Sequence, residues 1–194
     1  MLYASSTVQL NGVVAERSSA VFSGDRIETP ANSTVTLTAA GSTVTVAPSS
    51  SVVYEGAAMR LRSGATIVST ENGMKLAVDK MVISPAVERS KARYGVIRGD
   101  GQVMIAALHG AVLVADGNNT RLVADGDTAT VSDPDDGKQD SGNQGGAKPA
   151  TSAGSVKIGG HKMTTAAFLA IVAATGTAAG VIAYETTKTP MSGH

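Results

Sequence analysis

The sequence predicts an all-β fold: an antiparallel β-sandwich or roll, with a short solenoid-like stack as its variant. A flexible linker and one C-terminal transmembrane helix follow it. Three observations carry this. Short runs alternate β-branched apolar residues with small polar ones, the period of a half-buried strand. Asn-Gly and Asp-Gly pairs separate those runs at short intervals, as hairpin turns do. The composition of the 194 residues changes twice: residues 1–132 are rich in Val, Thr, Ser, Ala and Gly, residues 133–160 in Asp, Gly, Ser, Lys and Pro, and residues 163–184 carry no charge.

The elements follow in order. Residues 7–10 form the first strand candidate and end at Asn11-Gly12. In the run 33–38 and the run 42–47, Val35, Leu37, Val44 and Val46 face one core and the threonines face outward; Ala40-Gly41 reverses the chain between them. Further candidates are 51–54, 58–62, 65–69, 75–78, 80–84, 92–98, 102–107, 111–115, 120–123 and 127–131. Asn72-Gly73, Asp100-Gly101, Asp116-Gly117 and Asp125-Gly126 punctuate them. A weak repeat of strand, glycine and strand links 60–68 around Gly64, 106–114 around Gly110 and, more loosely, 121–131 around Gly126. Such units suit a rolled sheet whose successive turns stack.

Residues 133–162 offer almost nothing to bury and read as a flexible linker. Residues 163–184 are long enough for a bilayer-spanning helix, which needs about 20 residues, with Lys162 before them and Glu185 after. Residues 185–194 form a short polar tail. Gly176 and Gly180 stand in a GxxxG spacing that lets helices approach closely, one route to a homo-oligomer; sheet edges are another.

Composition excludes several functions. Sixteen basic residues balance sixteen acidic ones and aromatics are 3% of the chain, so neither a basic field nor a stacking platform for nucleic acid is present. Cysteine is absent, which removes disulfides, thiolate metal sites and cysteine nucleophiles. The histidines are His109, His161 and His194; no triad, phosphate-binding or dinucleotide pattern accompanies them. The chain reads as non-catalytic, with no cofactor and no metal.

Asp133, Asp135, Asp136 and Asp140 lack the spacing of a calcium loop and read as a solvated linker. Ser49, Ser50 and Ser51 read as a turn, and His161 with Lys162 as polar heads at a membrane edge. Arg60, Arg62, Arg89, Lys91 and Arg93 form at most a modest basic face. Asp25, after Gly24, is expected to cap a nearby backbone N–H; Ile27 then faces inward and Thr29-Pro30 ends the strand.

These residues carry a family resemblance. Gly24-Asp25-Arg26-Ile27-Glu28-Thr29 precedes Val35 and Leu37; Gly41-Ser42, Val44, Val46 and Pro48-Ser49-Ser50 follow, then Leu61 and Gly64. In this order the motifs resemble the FecR-like domain. Leu108-His109-Gly110-Ala111-Val112 and Leu122 to Gly126 resemble strands of its second half, whereas the family's Gly-Thr-x-Phe segment is missing near 92–96. The resemblance covers about residues 5–132. It implies an all-β module of the bacterial cell envelope, with signalling or binding of another envelope protein as its role. The family's regulators of iron-siderophore uptake also carry a cytoplasmic N-terminal segment that controls a sigma factor. No part of this sequence matches that segment, so the anti-sigma activity is not carried over.

Two orientations in the bacterial inner membrane remain. A start at Met1 makes the chain a tail-anchored protein with a cytoplasmic β domain, as Lys157 and Lys162 before the span against Lys188 after it also favour. A removed or missed leader makes the β domain periplasmic, which the resemblance favours. The functional expectation is a membrane-anchored envelope interaction or signalling module. The alternatives are a self-assembling structural surface protein and a carbohydrate- or ligand-binding module.

Overall fold

The computed structural model describes residues 1–4, 7–117, 119–132, 155–158 and 161–164. Among them the chain is all-β. The early strands are β1 (Leu2–Ala4), β2 (Gln9–Leu10), β3 (Val13–Val14), β4 (Ser18–Ser19), β5 (Arg26–Thr29), β6 (Val35–Ala39), β7 (Ser42–Val46) and β8 (Ser50–Tyr54). The middle strands are β9 (Ala58–Thr70), β10 (Lys75–Val78), β11 (Met81–Pro85), β12 (Ala92–Gly99) and β13 (Gln102–His109). Then come β14 (Val112–Asp116), β15 (Asn119–Val123), β16 (Thr128–Ser132), β17 (Ser155–Ile158) and β18 (His161–Thr164).

The first sixteen strands form one hydrogen-bonded network, folded over at β9 into two layers. The first layer runs β4-β1-β6-β7-β9-β12-β13-β16. The second runs β3-β2-β5-β8-β9-β10-β11-β14-β15. From β5 and β6 onward, each new strand is added to the growing side of its layer. The result is a rolled sandwich that grows in one direction along the chain.

β9 belongs to both layers. Its first half pairs with β8 and its second half with β7 and β12. The sequence suggested two strands, 58–62 and 65–69, with Gly64 as a turn between them. Instead the strand continues through a corner at Ser63–Gly64. Gly64 has φ +86, and a Cβ there would meet the Ser49 carbonyl oxygen at 2.7 Å. Only glycine allows this close crossing. The other two glycines of the repeat, Gly110 and Gly126, also stand where the chain passes from one layer to the other, between β13 and β14 and between β15 and β16.

One expectation is corrected. The sheet is mixed rather than wholly antiparallel, because β10 runs parallel to the first half of β9, with Lys75 beside Ala58 and Leu76 beside Met59. The chain leaves the second layer at Gly64, crosses the first, and re-enters the second in its original direction. A full wrap returns a strand parallel to itself, whereas a hairpin cannot.

The interior between the layers is a single apolar cluster. Leu2, Ile27, Leu37, Val44, Leu61, Val68, Leu76, Ile83, Val96 and Ile105 are fully buried in it. Val35, Leu37, Val44 and Val46 share this core, and the intervening threonines of β6 and β7 lie outside it. Tyr94 is also buried. Its phenol donates to the Met74 carbonyl at 2.7 Å, and burial pushes its pKa up.

In the C-terminal region eight residues are described. β17 and β18 pair as a two-stranded antiparallel hairpin. Residues 155–158 and 161–162 of this hairpin fall within the stretch read as linker, and Met163-Thr164 within the expected span. The β-branched residues Val156 and Ile158 suit a strand. The rest of the expected span, including Gly176 and Gly180, lies outside the described residues, as do Asp133, Asp135, Asp136, Asp140 and the polar tail. Among the described residues no helix is long and apolar enough to cross a membrane.

Candidate functional site

The motif residues build two structural knots. In the first, Asp25 Oδ2 accepts from the Phe22 N–H at 2.7 Å and Oδ1 accepts from the Asn11 amide at 2.8 Å. Asn11 Oδ1 in turn accepts from the Arg26 N–H at 2.9 Å. These donors hold the Asp25 carboxyl below its ordinary value, the Phe22 N–H contributing most. Gly24 supplies the turn with φ +99. Ile27 enters the core, paired with Leu10 on one side and Val52 on the other.

The second knot joins Thr29, Pro48 and Gly64. The Thr29 hydroxyl donates to the Ala47 carbonyl at 2.6 Å and accepts from the Ser50 N–H at 3.0 Å. The Ser50 hydroxyl contacts the Pro48 carbonyl at 3.1 Å and accepts from the Ala65 N–H at 2.9 Å. Residues far apart in sequence thus pin the corner where β7 passes to β8 and β9 changes layer. Ser42 lies elsewhere, its hydroxyl 2.8 Å from that of Thr70. Thr70 Oγ1 also accepts from the N–H groups of Asn72 and Met74. It closes the bend between β9 and β10, a role the sequence reading missed.

Among the described residues, two clefts bear on the motif residues and on the strand edges. The larger, about 460 Å³, is lined by Gly41, Ser69, Glu71, Lys91, Arg93 and His109, among others. It brings together Gly41 and His109 with Lys91 and Arg93, all singled out in the sequence. Its one carboxylate, Glu71, pairs with Lys91 at 3.1 Å. Its Thr70 hydroxyl is committed to the β9–β10 bend. The remaining basic side chains do not join them. Arg60 is clamped by Glu55 at 2.6 Å. Arg98, which the sequence reading passed over, is paired with Asp79 and so ties β12 to the β10–β11 turn of the other layer.

The second cleft, about 370 Å³, lies at the growing end of the sandwich, between β15 and β16. Val114, Asp116, Asn119, Thr120 and Arg121 line it from the second layer and Val131 from the first. Among the described residues β15 pairs only with β14, and β16 only with β13. Each therefore presents a five-residue edge of backbone donors and acceptors. Leu122 on β15 is 59% exposed. The opposite end differs, because its edges β3 and β4 are two residues each, and edges that short are poor templates for pairing. Neither β15 nor β16 carries a proline or lysine to block pairing.

No protein-family model matches the chain, and neither a curated protein nor a solved structure is similar to it. Among the described residues no three metal-ligating side chains gather into a group.

Proposed function

We propose that this chain is a non-catalytic, membrane-anchored β module of the bacterial envelope that binds a partner protein by strand addition at its open end. One observation carries the reading. β15 and β16 bring the open edges of both layers to the same end of the molecule, with a cleft between them. A partner strand laid along either edge gains main-chain hydrogen bonds, and the cleft accepts an alternate side chain. The resemblance of residues 5–132 to the FecR-like domain supports an envelope setting with the β domain on the periplasmic side. The uncharged residues 163–184 support a membrane anchor.

A second reading, assembly of copies of the chain, draws on the same edges. Thr128-Ala129-Thr130-Val131 alternates polar and apolar residues and carries no charge, a composition that favours lateral sheet association. Photo-crosslinking in cells separates the two. A photoreactive residue is placed at exposed Leu122, at exposed Thr130, or at exposed Val13 on the blunted end as control. The expected result is one envelope protein crosslinked at 122, at 130 or at both, and not at 13. Crosslinks to the chain itself select the assembly reading. Equal crosslinks from Val13, or none from either edge, overturn strand addition, and capture of a cytoplasmic protein removes the envelope setting.

A further inference from the structure

The central strands of the first layer are apolar on both faces. β6 and β7 bury one face and leave the threonines of the other outside the core, but Gly64 to Val68 of β9 are all buried, as are four consecutive residues of β12 and five of β13. The inward set meets the second layer. The outward set forms a separate cluster of Ala65, Ile67, Ile97, Met104 and Ala106, each no more than 5% exposed. Strand register places them in two adjacent rows, Ala65–Ile97–Met104 and Ile67–Gly95–Ala106. The small residues Ala65, Gly95 and Ala106 make this a shallow apolar floor.

Burial on both faces calls for cover on the outer side as well. β17 lies against β12. β12 is already paired on both sides, by β9 and β13, and its inner face meets the second layer. That leaves the outer face, with the second cluster, as the broad side of β12 open to β17. The chain can reach: β12 lies two strands from β16, about 10 Å, and residues 133–154 intervene. The hairpin has no backbone pairing to the sixteen-stranded network. A lone two-stranded hairpin is marginally stable in water.

We propose that the outer face of β9, β12 and β13 is a docking surface whose occupant is the chain's own C-terminal hairpin, residues 155–164, and that this hairpin lifts off without unfolding the sandwich. Lift-off uncovers an apolar patch, and it is a local opening separate from global unfolding. Because Met163-Thr164 end the hairpin and also begin the uncharged stretch, the docked hairpin holds the first residues of that stretch on the protein. The docking itself does not depend on the proposed binding at β15 and β16.

Thiol labelling of the full chain tests this, since the chain has no cysteine of its own. Ala106 and Ala107 are neighbours on β13, both 1% exposed, one in the outer cluster and one in the core between the layers. Ala106→Cys is expected to react slowly. It should react roughly tenfold faster or more when the hairpin is broken by Lys157→Pro with Lys162→Pro, a local opening of the kind that exposes single elements. Ala107→Cys should stay protected in both backgrounds, and Met104→Cys provides a second outer probe. The proposal is overturned if Ala106→Cys reacts as fast as Leu122→Cys with the hairpin intact, or if the prolines leave its rate unchanged. It is also overturned if Ala107→Cys opens together with it, since the hairpin is then part of the core. Protection that falls on dilution assigns the cover to a second copy. Protection that requires phosphatidylethanolamine–phosphatidylglycerol vesicles assigns it to the membrane. Either result overturns the intramolecular assignment.

Discussion

A methyl group added at Gly64 would stand 2.7 Å from both the Ser49 carbonyl oxygen and the Ser50 Cα, on a backbone with φ +86. The neighbours that must move are main chain, and the Thr29–Ser50 hydrogen bonds fix them in place. Gly126 occupies a corner with φ +82 but has nothing within 4 Å of such a methyl. Gly126→Ala should therefore cost about 1 kcal/mol, the backbone strain alone, and Gly64→Ala about 3 kcal/mol or more, strain plus collision. Urea midpoints at equal slope measure both. Equal losses would mean that the close approach at Gly64 carries no weight. Asp25 makes a prediction of different sign. Its folded pKa is lowered by the Phe22 N–H and the Asn11 amide, so the folded state sheds its proton more readily than the unfolded chain. The stabilisation is present above the ordinary carboxylate range and is lost as pH falls through the lowered value. The Phe22 amide resonance should titrate with a midpoint below that of an unperturbed aspartate, about 3.9, and Asp25→Asn should abolish the titration. A midpoint at the ordinary value would remove the cap from the account.

At the scale of elements, local chemistry was legible and long-range return was not. Asn11-Gly12, Ala40-Gly41 and Asp100-Gly101 each have two successive positive φ values. They close the hairpins β2–β3, β6–β7 and β12–β13, as two-residue turns between alternating runs suggest. Asn72-Gly73 has the same lettering yet joins no hairpin, because it sits where the chain completes its wrap from β9 to β10. The repeat around Gly64, Gly110 and Gly126 was visible in sequence, but its meaning, a change of layer, depends on pairings made elsewhere. β1 escaped notice because Leu2–Ala4 has no β-branched residue; its partner β6 defines it. Arg98 and Asp79 meet through the folding of one layer onto the other, and no spacing in the chain announces that. The open end could be read only after the order of the strands was known: residues 119–123 and 128–132 look like other Thr- and Val-bearing runs, and only their single pairing partners set them apart.

The whole molecule grows strand by strand like a stacked array, and arrays of that kind fray from their ends. Two features oppose independent fraying. β9 is a single strand shared by both layers, and one apolar cluster fills the space between them. Damage to either layer near β9 must therefore be felt in the other. Leu61 lies in the half of β9 that pairs with β8 and is fully buried. Leu61→Ala should remove about 2–5 kcal/mol through lost burial and the cavity left behind. Native-state hydrogen exchange should then show the same loss of protection at β7 and β12 in the first layer as at β8 and β10 in the second, since all four open with the global transition. The edge amides of β15 and β16 exchange through local opening, so their rates should scarcely change. Loss confined to β8 and β10 would mean that the layers are separate folding units joined by a bent strand, and the open end would then belong to each layer on its own. A common loss would mean that an occupant bound at β15 and β16 raises the protection of the whole sandwich, because ligand binding stabilises every element that opens with the bound state.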